Sequence, residues 1–240
     1  MNILIIDGSP NRKKSITLML TKTFLAGMNE TAEIVNTIDL NINPCRACYA
    51  CWVKTNGECV QKDDAIEILN KIKAADTIIW SIPLYSYSVP SHCKALMDRT
   101  LCFNQPEMYI GEDGRSHHYG YENGSKKTVL ISSGGLPDVI GNFDGLVFQI
   151  KHMFGKNTTT ICCAEAALFL QSETKSMTSK YLDAIRNAGS EYRMTGIISA
   201  DTQAVLDAPM IPRDLYIKNT NIAFAQIKKR IKNIPKNRHL

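Results

Sequence analysis

Five short apolar runs, each followed by a stretch of helical period, constrain this chain more than any other feature. The runs are Ile3–Ile6, Glu33–Ile38, Thr77–Ile82, Thr128–Ser132 and Thr159–Ala164. Each is rich in Ile, Val or Thr and nearly continuous in apolar character, as expected of strands covered on both faces. Helical periods follow at Ile16–Met28, at Asp63–Ala75 with Asp63 or Asp64 as N-cap, and at Ser91–Cys102 after Pro90. Two more occupy Asp144–Phe154, closed by Gly155 as an αL C-cap, and Met177–Met194. Strict alternation predicts an α/β, doubly wound, five-stranded parallel sheet in the order 2-1-3-4-5, since a barrel needs eight such units.

The 240 residues, 44% hydrophobic and 21% charged, suit one well-buried domain. We expect residues 1–200 to form it, with a loop insertion at 103–127 and a helical extension at 201–240. The insertion, Phe103–Lys127, shows neither helical nor strand period and holds Gly111, Gly114, Gly120 and Gly124 with His117 and His118. Loops of that length are usually functional or disordered, while paired loop histidines are more often plain surface residues. In Thr195–Leu240, Pro209 and Pro212 mark a linker before a helix of about fifteen residues starting at Asp214 or Asn221. Its Ile222, Phe224, Ile227 and Ile231 need a surface to cover, which points to a homodimer or homotetramer.

A formal charge of +5, scattered except near the C-terminus, is too mild to argue for nucleic acid. The basic residues Lys228, Lys229, Arg230, Lys232, Lys236 and Arg238 read as a solvated helix end. No run approaches the roughly 18 apolar residues that span a bilayer, and no basic-flanked apolar core follows Met1. The expectation is a cytoplasmic protein without membrane or nucleic-acid partners. Eight cysteines in a reducing compartment are then not a disulfide framework.

The first strand runs into Gly8-Ser9-Pro10-Asn11-Arg12-Lys13-Lys14-Ser15-Ile16-Thr17 and then a helix. Such a hydroxyl-rich loop suits a phosphate, because backbone N–H groups and the helix dipole favour negative charge and Ser9, Ser15 and Thr17 can donate. The plainer reading makes Ser15 only an N-cap. A Walker A loop would need glycine where Lys13 stands, and the dinucleotide G-x-G-x-x-G is absent. A single phosphate monoester is favoured, and FMN carries one. Loops after the first, third and fourth strands converge on one sheet edge. The third supplies Pro83-Leu84-Tyr85-Ser86-Tyr87-Ser88, an aromatic and apolar wall. The fourth supplies Ser132-Ser133-Gly134-Gly135, where glycine lets a flat ring approach.

Gly8-Ser9-Pro10 with Ser15 and Thr17, Pro83-Leu84-Tyr85, and Ser133-Gly134-Gly135 resemble the NAD(P)H-dependent FMN reductase and multimeric flavodoxin superfamily. The likeness covers roughly residues 1–170 and extends weakly into Pro209–Asn221. It implies a flavodoxin-like fold, FMN as cofactor and NAD(P)H as co-substrate. It also implies a phosphate on Ser9, Asn11, Ser15, Ile16 and Thr17, and a flavin ring between Pro83, Leu84, Tyr85 and Ser86 and Ser133, Gly134 and Gly135. An oxidoreductase acting on a quinone, flavin, nitro or similar acceptor follows from that likeness. The alternative is a non-enzymatic electron carrier.

Cys45-x2-Cys48-x2-Cys51-x7-Cys59 follows the second strand. This spacing lets one loop wrap thiolates around an iron–sulfur cube, and it resembles the motif of the iron–sulfur flavoproteins. By that resemblance a [4Fe-4S] cluster would relay electrons to or from FMN. A cluster-free cysteine loop, with Trp52 packed near the flavin, and a zinc site stay open beside it. Cys93, Cys102, Cys162 and Cys163 fall in predicted core elements and read as small hydrophobes.

Overall fold

The computed structural model describes residues 1–121 and 126–232. Its strands, in chain order, are β1 (Ile3–Asp7), β2 (Glu33–Asn36), β3 (Thr77–Pro83), β4 (Asn104–Ile110), β5 (Ser116–Gly120), β6 (Lys127–Ser133) and β7 (Thr159–Cys163). The helices are α1 (Ile16–Met28), α2 (Ala50–Val53), α3 (Ala65–Ala74), α4 (Ser91–Arg99), α5 (Asp144–Phe154), α6 (Lys175–Thr195), α7 (Ala200–Asp207) and α8 (Arg213–Lys232). Five strands form a parallel sheet in the order β2-β1-β3-β6-β7. With the β4–β5 hairpin set aside, this is the expected 2-1-3-4-5.

Side chains alternate across the sheet and divide the core into two layers. Leu4, Ile6, Ile78, Trp80, Ile82 and Leu130 face one way, onto Leu69 and Ile72 of α3, Leu96 of α4 and Leu146 of α5. Ile3, Ile5, Ile79, Val129, Ile131 and Ile161 face the other, onto Leu20 and Phe24 of α1 and Tyr181 and Ile185 of α6. Near-continuous apolar strands are what two-sided burial requires.

Several boundaries depart from the sequence expectation. The second strand ends at Asn36, not Ile38: Asn36 Oδ1 accepts from the Ile38 N–H, and Thr37–Asp39 turns into a 3-10 helix. The third predicted helix stops at Arg99 and tightens to 3-10 geometry over Thr100–Phe103. Gly155 takes φ +101° and ψ 151°, an extended glycine conformation rather than αL. The 103–127 segment is not structureless. It folds as the antiparallel pair β4–β5, with Gly111 N–H donating to Arg115 O and Gly114 N–H to Gly111 O at the turn. No alternation marked it because most of both strands is exposed, so neither face needs apolar residues. Gly124, within that segment, lies outside the described residues.

The linker holding Pro209 and Pro212 lies between Asp207 and Arg213, and ahead of it α7 forms, an element no sequence pattern marked. Ser199 caps it by accepting from the Thr202 N–H, but it buries only Thr202 and Leu206, too few positions to show a period. Helix α8 starts at Arg213 and runs 20 residues. Tyr216 is buried, whereas Ile222, Phe224, Ile227 and Ile231 are exposed. Lys236 and Arg238 of the expected basic tail lie outside the described residues. Among those described, no helix is long and apolar enough to cross a membrane.

Candidate functional site

All five parallel strands end on one edge, and the loops after β1, β3 and β6 meet there. Gly8 N–H donates to Ser81 O at 2.9 Å, and Leu84 N–H donates to Ser133 O at 2.9 Å. Thr17 Oγ1 and Ser133 Oγ lie 2.7 Å apart. At Gly8 the chain passes so close to α4 that an added Cβ would sit 2.3 Å from Cys93 Sγ, so only glycine fits there.

In the β1–α1 loop, Ser9, Ser15 and Thr17 are buried, Ile16 is half-buried and Asn11 is exposed. Ser15 Oγ accepts from Leu18 N–H at 3.1 Å and so caps α1, while its own hydrogen stays available to a ligand. The first N–H groups of a helix lack intrahelical acceptors, which leaves Ile16 and Thr17 amides facing the loop with the dipole behind them. Arg12 has φ +49° and its guanidinium is held by Asp39, with Nε donating at 2.7 Å. Its charge therefore lies beside Asp39, not over the loop.

Pro83 and Leu84 are half-buried and Tyr85 and Ser86 are exposed. Tyr85 and Ser88 exchange backbone hydrogen bonds of 3.0 and 2.9 Å around Ser86 and Tyr87, which both have positive φ, 47° and 62°. Such a turn normally takes Asn or Gly, and its occupation by serine and tyrosine stores strain at the sheet edge. Ser133 and Gly134 are buried, and Gly135 is exposed with nothing within 4 Å of an added Cβ. The Tyr216 hydroxyl of α8 donates to Gly135 O at 2.8 Å, bringing the C-terminal helix to this loop.

Beneath the β1–α1 loop sits Asp7, fully buried. Its carboxylate accepts from Ser9 N–H at 3.2 Å and from Asn36 Nδ2 at 2.7 Å. Burial pushes its pKa up to about 6, against the pull of these donors, of Ser81 and of Lys22. Burial likewise pushes the neighbouring Cys93 thiol up to about 12, so it stays protonated against Thr37. The sequence signal for Asp7 was an acid closing an apolar strand.

The cysteine loop is a second cluster. Cys51 is buried on α2, Cys45 and Cys59 are half-buried, and Cys48 is exposed. All four line one small cavity of about 20 Å3, shared with Cys102 and Arg99. Ala47, Tyr49, Asn56 and Gly57 all take positive φ, so this loop is tightly wound. Trp52 sits between the rings of Tyr49 and His118, with Nε1 donating to Leu101 O at 3.2 Å. Among the described residues, no three His, Cys, Asp or Glu side chains converge on a position for a single metal ion. This cavity of the cysteine loop has room for about one water, less than a cube needs, and what favours a cube is the donor set, four cysteine sulfurs lining one cavity.

Arg99, which no local pattern marked, fixes both ends of that loop. Nε donates to Cys59 Sγ at 3.1 Å. Nη1 donates to Asn43 O at 3.0 Å and Asp63 Oδ2 at 2.7 Å, and Nη2 to Gln61 O at 3.3 Å and Asp63 Oδ1 at 3.0 Å. Every guanidinium hydrogen is thus used. Burial pushes the Asp63 carboxyl up, but Arg99 and the Asn43 donors outweigh it and hold the group below the usual carboxylate range.

A family model described as the flavodoxin-like fold matches residues 1–160. The chain belongs to this flavodoxin-like family. Within the family it is 35% identical over 101 residues to an iron–sulfur flavoprotein of Archaeoglobus fulgidus, covering 42% of this chain and 49% of that one. It is 27% identical over 145 residues to an FMN-dependent NADH:quinone oxidoreductase of Pseudomonas fluorescens, covering 56% of this chain and 71% of the relative. The flavodoxin-like chain spans about half the length of the iron–sulfur flavoproteins it matches. An FMN-dependent NADH-azoreductase of Bacillus anthracis, solved with FMN, shares the fold at a TM-score of 0.58 and 22% identity, over 80% of this chain and all (100%) of that one.

Proposed function

We propose that this flavodoxin-like chain is an FMN-dependent NAD(P)H oxidoreductase acting on a quinone, flavin, nitro or similar acceptor. The observation that carries the reading is the meeting of three loops at one sheet edge, with buried hydroxyls and a helix N-terminus at one end and the strained Tyr85–Ser88 turn at the other. The names of the relatives and of the azoreductase neighbour support the same chemistry.

In this reading Ser9, Asn11, Ser15, Ile16 and Thr17 hold the phosphate through hydroxyl, amide and backbone donors. Pro83, Leu84, Tyr85 and Ser86 line one side of the ring, and Ser133, Gly134 and Gly135 the other. The bound flavin supplies the capacity to take hydride from a nicotinamide and pass electrons on. The chain's own residues position it, and Tyr85 shields part of the edge from water. Residues 1–200 act as the cofactor-binding unit, and the extension that begins at residue 201 meets it through the Tyr216 hydroxyl on Gly135 O. The exposed apolar residues of α8 support a homodimer or homotetramer.

The four thiols around one cavity support a second cofactor, a [4Fe-4S] cluster on Cys45, Cys48, Cys51 and Cys59. With it comes the alternative of a relay between FMN, cluster and partner protein. Anaerobic protein should then hold about four iron and four sulfide per chain. Cys48→Ser should remove the iron and leave FMN in place, whereas iron-free protein that is fully active excludes the cluster.

The enzymatic reading is tested by steady-state oxidation of NADH and NADPH by the FMN-loaded protein with a quinone. Sustained FMN-dependent turnover supports it. Negligible turnover, with rapid reduction by a ferredoxin, would favour the relay.

A further inference from the structure

Four consecutive carbonyls, from the end of β6 into the β6–α5 loop, each accept a hydrogen bond from another part of the chain. Ser133 O accepts from Leu84 N–H, Gly134 O from Ala166 N–H and Leu136 O from Glu165 N–H, each at 2.9 Å. Those three donors are backbone amides of the segments after β3 and β7. Gly135 O is held instead by a side chain, the Tyr216 hydroxyl of α8, which donates at 2.8 Å from 81 positions away. Tyr216 is buried. Glu165 secures the segment leading into α8 at the same edge, its Oε2 accepting from Met210 N–H at 2.6 Å.

A planar trans peptide points its N–H opposite to its C=O. Holding Gly134 O and Gly135 O therefore aims the next two amides, Gly135 N–H and Leu136 N–H, the other way. Neither amide has an acceptor among the described residues, and both residues are exposed. Gly134 N–H, by contrast, donates to Cys163 O. Glycine's wide φ/ψ range would let the Gly135–Leu136 peptide turn, and nothing lies within 4 Å of a Cβ added at Gly135 to confine it. The Tyr216 hydroxyl is what fixes that peptide. We propose, on the flavin reading above, that Tyr216 is a positioning residue: it sets the Gly135–Leu136 peptide so that Leu136 N–H donates to a carbonyl oxygen of the flavin ring. Helix α8 thereby takes part in holding the ring, whereas the β1–α1 loop holds the phosphate.

Tyr216→Phe keeps the buried ring and removes only the hydroxyl, so the full chain can carry the test. Fluorescence titration of the flavin-free variant with FMN and with riboflavin should show both weakened by the same factor, about two- to ten-fold, as for one neutral hydrogen bond. The ratio of the two affinities should stay that of the unaltered protein, because the phosphate donors are untouched. Infrared difference spectra of bound FMN should show a flavin carbonyl stretch moved to higher frequency, the signature of a carbonyl that has lost a donor and not of loosened packing. Unchanged affinity for both flavins, a loss confined to FMN, or an unmoved carbonyl stretch overturns the proposal and leaves the flavin reading standing. Failure of the unaltered protein to bind either flavin overturns both.

Discussion

Thr17 Oγ1 and Ser133 Oγ, 116 positions apart in sequence, lie 2.7 Å from each other and join the first turn of α1 to the last residue of β6. Two hydroxyls bring two hydrogens, and one is spent between them. The other is left for a ligand at the edge. A phosphate held near α1 and a ring held near β6 would therefore be felt by the same pair.

Thr17→Ala and Ser133→Ala should each weaken FMN by about 1–3 kcal/mol, the range for hydrogen bonds to charged or buried groups. Because they share one bond, the double variant should lose less than the sum. Flavin fluorescence titration of the four proteins reads this, and strictly additive losses would mean that the two hydroxyls act separately.

Stability should fall as pH rises through the range set by Asp7. Its folded pKa, about 6, stands above the ordinary 3.8, so the native state holds the proton more tightly. The stabilisation is fully present below pH 3.8 and is lost as pH rises through about 6. Its size is about 3 kcal/mol, at 1.36 kcal/mol per pKa unit. Asp7→Asn should flatten that slope in urea unfolding between about pH 4 and 7. A slope unchanged in the variant would show that another group causes it.

Arg99→Met should cost about 3–5 kcal/mol, because it strands the buried Asp63 carboxylate. Asp63 titrates below its ordinary value, so the pair's contribution is present above that value and is lost as pH falls through the lowered one. The variant should therefore unfold at higher pH on the acid side. Urea unfolding at neutral pH and an acid titration by circular dichroism measure both effects. A cost within about 0.5 kcal/mol, typical of a surface change, would contradict the anchoring role.

What could be read from sequence follows how local the cause is. Helix α1 keeps its expected bounds, Ile16–Met28, because its cap Ser15 and its period are neighbours in the chain. The meeting of the β1, β3 and β6 loops follows from parallel order alone. The Arg99–Asp63 pair spans 36 positions and needs the fold to bring α4 to the cysteine loop, so no window of sequence contains it. The β4–β5 hairpin escaped because exposed strands carry no alternation, and α7 because it buries two side chains only. Glu165 looked like any acid after a strand, and its meaning lies in the closure of the 206–210 segment over it.

The claim that the β1–α1 loop holds the phosphate of a flavin is tested most directly by comparing FMN with riboflavin, which lacks only that phosphate. Titrated into flavin-free protein, FMN should bind more tightly by about 3 kcal/mol or more, on the order of two charge-assisted hydrogen bonds. Ser15→Ala with Thr17→Ala should erase much of that difference while changing riboflavin little. Equal affinity for the two flavins, or no binding of either, would contradict the account.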